Sequence, residues 1–158
     1  MSARTRNTAL ADPEVELYGN EVTRFVEDRS DLQVTAEAQR RGVDNLLNWV
    51  FGLITEAYIP GAALVDSAIV QFDITAPDGV HSYQLKFSED KCEVSRARGE
   101  AARLTISLTL PVFLRIIGGE LDGMNCFVNG KLRLAGDVLL AQAMRGWFNR
   151  HPAALAVI

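Results

Sequence analysis

The 158-residue sequence has only two histidines and two cysteines, and that scarcity excludes a good deal of chemistry. His81 and His151 stand seventy residues apart with no carboxylate at a recognisable ligand spacing, so no metal site is expected. Cys92 and Cys126 lack the Cys-x-x-Cys spacing and read as reduced core or near-core residues. The chain has no Gly-x-Ser-x-Gly elbow, no Gly-x-Gly-x-x-Gly, no phosphate-cradling P-loop and no kinase signature, which removes nucleotide and conventional hydrolase chemistry. No cofactor is implied.

Long apolar runs are also missing. No stretch approaches the ~20 consecutive apolar residues that span a bilayer, so no integral membrane segment is expected. The start Met1-Ser2-Ala3-Arg4-Thr5-Arg6 leads into no signal-peptide segment. These features predict a soluble, cytoplasmic protein. Sixteen basic against twenty acidic residues give a net charge of −4, without the positive field that attracts phosphate backbones, and nucleic acid is not an expected partner. The basic residues Arg96, Arg98 and Arg103 flank a turn and read as a solvated sheet rim, with a phosphate or coenzyme A contact as the lesser alternative.

What the chain does have is apolar content, 48% of its residues, enough for one packed core at this length. Residues 1–11 are polar and aperiodic. Asp12 and Pro13 open a helical pattern through Val15, Tyr18, Val22, Phe25 and Val26, ending near Ser30-Asp31. A second helix is predicted after Thr35, its stripe running Val43, Leu46, Leu47, Val50, Leu53, Ile54, Ala57 and Tyr58 until Ile59-Pro60-Gly61 stops it.

After residue 66 the period drops to two. Ala68, Val70, Phe72 and Ile74 alternate with polar neighbours, Ala76-Pro77-Asp78-Gly79 supplies a turn, and His81, Tyr83, Leu85 and Phe87 return on one face. Turns at Ser88-Glu89-Asp90 and Gly99-Glu100 lead to strands at Cys92 to Val94 and at Leu104 to Leu110, which together predict a four-stranded antiparallel meander. Thr109 and Pro111 begin a short helix stopped by Gly118-Gly119, residues 124–129 suggest another, Lys131 to Ala135 alternates as a fifth strand, and Asp137 caps a last helix. Helices gathered on one face of a largely antiparallel sheet make an α+β fold.

Phe113-Leu114, Gly118-Gly119-Glu120-Leu121-Asp122 and the run from Phe127 through Gly130-Lys131-Leu132 to Gly136-Asp137 resemble the sterol carrier protein 2 family over residues 43–148. The resemblance implies a five-stranded, mostly antiparallel sheet whose helices enclose a hydrophobic tunnel for fatty acyl chains, sterols or other lipids, and it brings no catalytic residues. It divides the chain into an N-terminal extension over residues 1–40, a lipid-binding domain over 41–150 and an apolar tail over 151–158. Ala156-Val157-Ile158 is not a peroxisomal address, consistent with a stand-alone bacterial type.

The tunnel-lining residues that the resemblance implies are Phe113, Ile117, Met124, Phe127, Val128, Leu140, Met144 and Phe148, joined by Leu53, Phe72 and Tyr83. Taken one by one, each also suits an ordinary core. His81, Glu56, Asp122 and Asn125 are the polar groups that would serve if chemistry follows binding. Two functions stand: carriage of a hydrophobic small molecule such as an acyl chain, sterol or polyketide- or terpenoid-like metabolite, or catalysis by a cyclase, isomerase or hydrolase of specialised metabolism in the same pocket. The extension and tail are candidates for covering the tunnel mouth or for forming a homodimer.

Overall fold

The computed structural model describes residues 21–63, 67–96 and 101–148. The proposed helix start at Asp12-Pro13, the turn at Gly99-Glu100, Arg98, His151 and the 151–158 tail lie outside the described residues.

Residues 21–26 are helical. The next helix, α1 (Asp31–Arg41), starts at a reciprocal cap in which the Ser30 hydroxyl accepts from the Gln33 N–H and the Gln33 side chain accepts from the Ser30 N–H. Helix α2 (Val43–Ala57) follows after one residue. A single helix from Thr35 to Tyr58 was the expectation, and Gly42 overturns it. Its φ of +94° turns the chain out of the first helix and starts the second, in a region that L-residues with a Cβ avoid. The start lies earlier than Thr35 because Ser30 supplies the cap.

The strands are β1 (Ala68–Ala76), β2 (Gly79–Phe87), β3 (Cys92–Ser95), β4 (Leu104–Thr109) and β5 (Leu132–Gly136), and they form one sheet in the order β3-β2-β1-β4-β5. The β1–β2 hairpin turns tightly between Ala76 and Gly79 as the sequence predicts. The four-stranded antiparallel meander is corrected: β1, β2 and β3 form one, but β4 crosses back and pairs parallel to β1, with Phe72 opposite Ile106. β5 then pairs antiparallel to β4. Three pairings of four are thus antiparallel, and the α+β class with a mostly antiparallel five-stranded sheet holds.

Helix α3 (Leu110–Ile117) is capped by Thr109, α4 (Gly123–Val128) by Asp122 and α5 (Val138–Ala143) by Asp137. A short 3-10 turn, Met144–Gly146, extends α5.

Register puts Val70, Phe72 and Ile74 of β1 in rows with Leu85, Tyr83 and His81 of β2 and with Leu104, Ile106 and Leu108 of β4. Apart from His81 this face is apolar and buried, and α2 lies against it. The Phe51 ring stacks on Tyr83 with centroids 4.5 Å apart and meets Phe72 edge-on at 5.5 Å. Phe113 of α3 closes the group, 5.3 Å from Phe51.

The opposite face is polar. Gln84 donates to Gln71, Gln71 donates to Asp73, and the Ser82 hydroxyl donates to the same carboxylate, so the two buried glutamines have partners.

Val22, Phe25, Val26, Val34 and Ala38 share one continuous core with the sheet and α2. No helix among the described residues is long and apolar enough to cross a membrane.

Candidate ligand site

The parallel β1–β4 pairing and the antiparallel β5 bring three chain segments to one end of the sheet: the approach to β1, the start of β4 and the exit of β5. There the Arg103 N–H donates to the Ile69 carbonyl at 2.9 Å, and the Asp137 N–H donates to the Arg103 carbonyl at 2.7 Å. Gly136 permits this approach. It has φ +111°, and a Cβ on it would sit 2.3 Å from the Arg103 carbonyl oxygen.

Asp137 does two jobs. One carboxylate oxygen accepts from the Leu140 N–H at 3.2 Å to cap α5, and the other accepts from the Arg103 guanidinium at 2.9 Å. The guanidinium first, and the backbone N–H groups with it, hold the Asp137 carboxyl below its usual range.

Around this pair lies an open cleft of about 410 Å³ lined by Ala62, Leu139, Leu140, Ala143 and Trp147, with Arg103 and Asp137 as its only charged walls among the described residues. Leu139 stands 73% exposed there, whereas Leu140 and Trp147 are buried.

The wall behind Trp147 is aromatic. Trp147 meets Phe87 edge-on at 5.0 Å, Phe148 meets Phe87 at 6.0 Å, and Tyr58 touches both Phe87 and Phe148. Tyr58 is anchored because its hydroxyl donates to the Ser88 carbonyl and accepts from the Ala63 N–H. The Ile59 N–H donates to the Trp147 carbonyl at 2.8 Å, which ties the chain after α2 to the end of α5. An apolar floor with one fixed ion pair can bury a hydrocarbon and orient one polar end of it.

The other end of the sheet holds an ion network. His81 Nδ1 lies 2.8 Å from Asp44 of α2, and His81 Nε2 lies 2.8 Å from Asp78 in the hairpin turn. Asp44 also accepts from Arg96 at 2.8 Å, and the Arg96 guanidinium sits over the Tyr83 ring. Two carboxylates against both ring nitrogens call for the imidazolium, since a neutral ring has one N–H to donate. Burial lowers the His81 pKa, but the hydrogen bonds to Asp78 and Asp44 outweigh it and the value is raised. His81 pairs with Ile74, five residues along β1 from Ile69, which is about 17 Å at the usual strand rise. It therefore ties α2 to the hairpin, remote from the cleft.

The sequence-derived lining residues divide into three groups. Leu140 lines the cleft, with Met144 and Phe148 buried on the same segment. Phe72, Tyr83 and Phe113 surround Phe51, with Ile117 buried in the same core and Leu53 partly buried against it. Met124, Phe127 and Val128 of α4 are instead exposed, by 38%, 40% and 73%.

Glu56, Asp122 and Asn125 are exposed too, and Asp122 is occupied in capping α4 through the Asn125 N–H. Both cysteines are free, and burial pushes the Cys92 thiol up to about 12. Among the described residues, no group of three or more His, Cys, Asp or Glu side chains is placed to hold a metal ion.

Sequence reasoning missed Phe51, Ala62 and Leu139; it read Arg103 chiefly as a solvated sheet rim, with a phosphate or coenzyme A contact as the lesser alternative, and Asp137 as a cap. Phe51 carried a usable signal, because it extends the Leu47, Val50, Ile54 stripe of α2. The meeting of Arg103 with Asp137 had none.

A family model described as the SCP-2 sterol transfer family matches residues 62–149, a span that takes in all five strands and begins after α2. No curated protein matches the sequence. Among solved structures, sterol carrier protein 2 like 2 from Aedes aegypti is 22% identical, with 65% of this chain and 92% of that chain covered and a TM-score of 0.51. A double mutant of the sec-alkyl sulfatase PisA1 is 18% identical, with 67% of this chain and 17% of that chain covered and a TM-score of 0.56. The stereoselective inverting sec-alkylsulfatase Pisa1 from Pseudomonas sp. is also 18% identical, covering 63% of this chain and 16% of its own, at a TM-score of 0.52. The chain therefore spans about a sixth of the sulfatase's length, and these likenesses are of fold.

Proposed function

The chain belongs to the SCP-2 sterol transfer family, and from that membership we propose that it binds and carries a hydrophobic small molecule, an acyl chain or a comparable lipid, entering at the Leu139–Trp147 cleft. The observation that carries this reading is the cleft's lining, which among the described residues is apolar except for Arg103 and Asp137. The ligand's hydrocarbon lies against Leu140 and Trp147 and reaches toward Met144, Phe148 and the core under α2. Each CH₂ withdrawn from water contributes roughly 0.8 kcal/mol, so a long chain binds without any directional contact along its length. The exposed Met124, Phe127 and Val128 take no part at this entrance.

The test is to denature the purified protein and identify co-purified apolar molecules by mass spectrometry, with Leu139→Asp as comparison. Leu139 is exposed, so the change leaves folding intact while placing a charge at the entrance. Recovery of lipid from wild type and much less from Leu139→Asp supports the reading. No lipid from either protein, together with no uptake of added palmitate by wild type, overturns it.

A further inference from the structure

We propose that α4 docks the protein on an anionic lipid surface, its outer stripe lying in the membrane interface and the cations beside it meeting lipid phosphates. The proposal goes beyond the carrier reading and does not depend on it. Gly123 and Cys126, three positions apart, are the buried side of α4. Met124, Phe127 and Val128 follow at i, i+3 and i+4 and form one stripe on the outside. Nine large apolar side chains are exposed among the described residues, and three of them fall within this one six-residue helix. Apolar residues exposed singly are ordinary, whereas a contiguous stripe marks an interaction surface.

The charge beside the stripe identifies the kind of surface. A cleft of about 660 Å³ has Leu121, Gly130 and Lys131 in its walls, residues that bracket α4, together with Arg29 and Arg115. The carboxylates among its described walls, Asp31 and Glu120, are both paired with Arg115. That leaves Arg29, whose Nη1 donates to the Phe25 carbonyl, and Lys131, which is exposed and has no hydrogen bond or ion pair from its side chain among the described residues. Asp122, at the other end of the helix, is occupied with the Asn125 N–H. Apolar side chains edged by basic ones suit a helix lying in the plane of a membrane interface, where the apolar groups reach below the headgroups and the cations stay at the phosphates.

The Lys131 N–H donates to the Cys126 carbonyl at 2.8 Å, which fixes the root of this cation at the end of α4. The strand β5 then runs from Leu132 to Gly136, so the carrier cleft at Asp137 lies about 16 Å farther along at the usual strand rise. The docking surface and the ligand entrance are separate sites.

The experiment is co-sedimentation of the full chain with vesicles of equal parts phosphatidylcholine and phosphatidylglycerol, and with vesicles of phosphatidylcholine alone. Wild type is expected to bind the anionic vesicles about tenfold more tightly at low salt, and high salt to remove most of that difference. Val128→Glu is expected to weaken binding to the anionic vesicles by about tenfold, the scale of one valine withdrawn from water. Lys131→Gln is expected to weaken it by about fivefold, with binding to neutral vesicles unchanged. Both residues are exposed, and circular dichroism confirms that each variant is folded.

No binding of wild type to anionic vesicles, or binding that both substitutions leave unchanged, overturns the proposal while the carrier reading stands. Self-association of wild type without vesicles that Val128→Glu abolishes assigns the stripe to a second copy of the chain and likewise overturns it.

Discussion

Replacing Arg115 by methionine tests whether the chain before α2 is structurally part of the domain. Its guanidinium leaves α3 with only 11% of the side chain exposed and donates to the Arg29 carbonyl at 2.8 Å and the Val26 carbonyl at 3.3 Å, while pairing with Asp31 and Glu120. The Val26 carbonyl ends the helical residues 21–26, where the Arg29 N–H also reaches it at 3.3 Å, and the Arg29 carbonyl lies in the link before α1. Methionine keeps most of the stem and removes every donor. A hydrogen bond to a charged group is worth about 1.5–3 kcal/mol. The bond to Val26 is long, and exposed carboxylate partners add only a few tenths each. The expected loss is therefore about 3 kcal/mol, which lowers Tm by about 6–12 °C in a chain of this size.

Urea unfolding followed by tryptophan fluorescence reads the loss as a lower midpoint at unchanged slope. Asp31→Asn and Glu120→Gln should each cost less than about 1 kcal/mol, because both carboxylates are substantially exposed. A loss below about 0.5 kcal/mol for Arg115→Met, or an equal loss from Asp31→Asn alone, would refute the claim that the carbonyl bonds tie this segment down.

Two further predictions concern the ends of the sheet. The raised His81 pKa means that its pairing with Asp78 and Asp44 stabilises the fold fully below about pH 6.5, the unfolded value, and that this stability is lost as pH rises through the higher folded value. Unfolding free energies at pH 6 and pH 9 should therefore differ more for wild type than for His81→Gln, and equal differences would sink the imidazolium assignment. Gly136→Ala should cost more than about 3 kcal/mol, since it combines a positive φ with a Cβ 2.3 Å from the Arg103 carbonyl. Gly61→Ala, at φ +88° with open space around it, should cost only about 1–2 kcal/mol, and matching midpoints for the two variants in thermal unfolding would show that the close approach does not matter.

Local signals carried much of the fold. The alternation through Phe72 and Ile74, the Ala76 to Gly79 turn, and the Thr109 and Asp137 caps each act within a few residues of their cause, and each is where the sequence puts it. The place of β4 was not legible. Alternation around Ile106 shows a strand but is silent on its neighbour, and pairing with β1 is settled by burial across the whole sheet.

Residues of α4 were similarly undetermined. Six residues are too few to show which face of a helix is apolar, so the placing of Met124, Phe127 and Val128 along the tunnel rested on the resemblance alone; the three are 38%, 40% and 73% exposed. At the cleft, the lining of Leu140 was legible from the last helix. The ion pair was not, because Arg103 and Asp137 are 34 positions apart and meet only once β4 and β5 are paired.

The crossover that sets β4 beside β1 also governs when the cleft comes into being. Its walls come from residue 62, residue 103 and residues 137–147, so no hairpin or helix pair contains it, and it exists only after β4 has docked beside β1 and β5 beside β4. Closing such long loops slows folding, and a chain caught before that step has a core under construction but nothing to hold a lipid. Ligand and unfolded chain are then mutually exclusive, so occupancy registers as global stability: a ligand at a hundred times its Kd adds about 2.7 kcal/mol. The carrier's cargo would act as the last clasp of its fold, and an emptied carrier would be the form most readily unfolded.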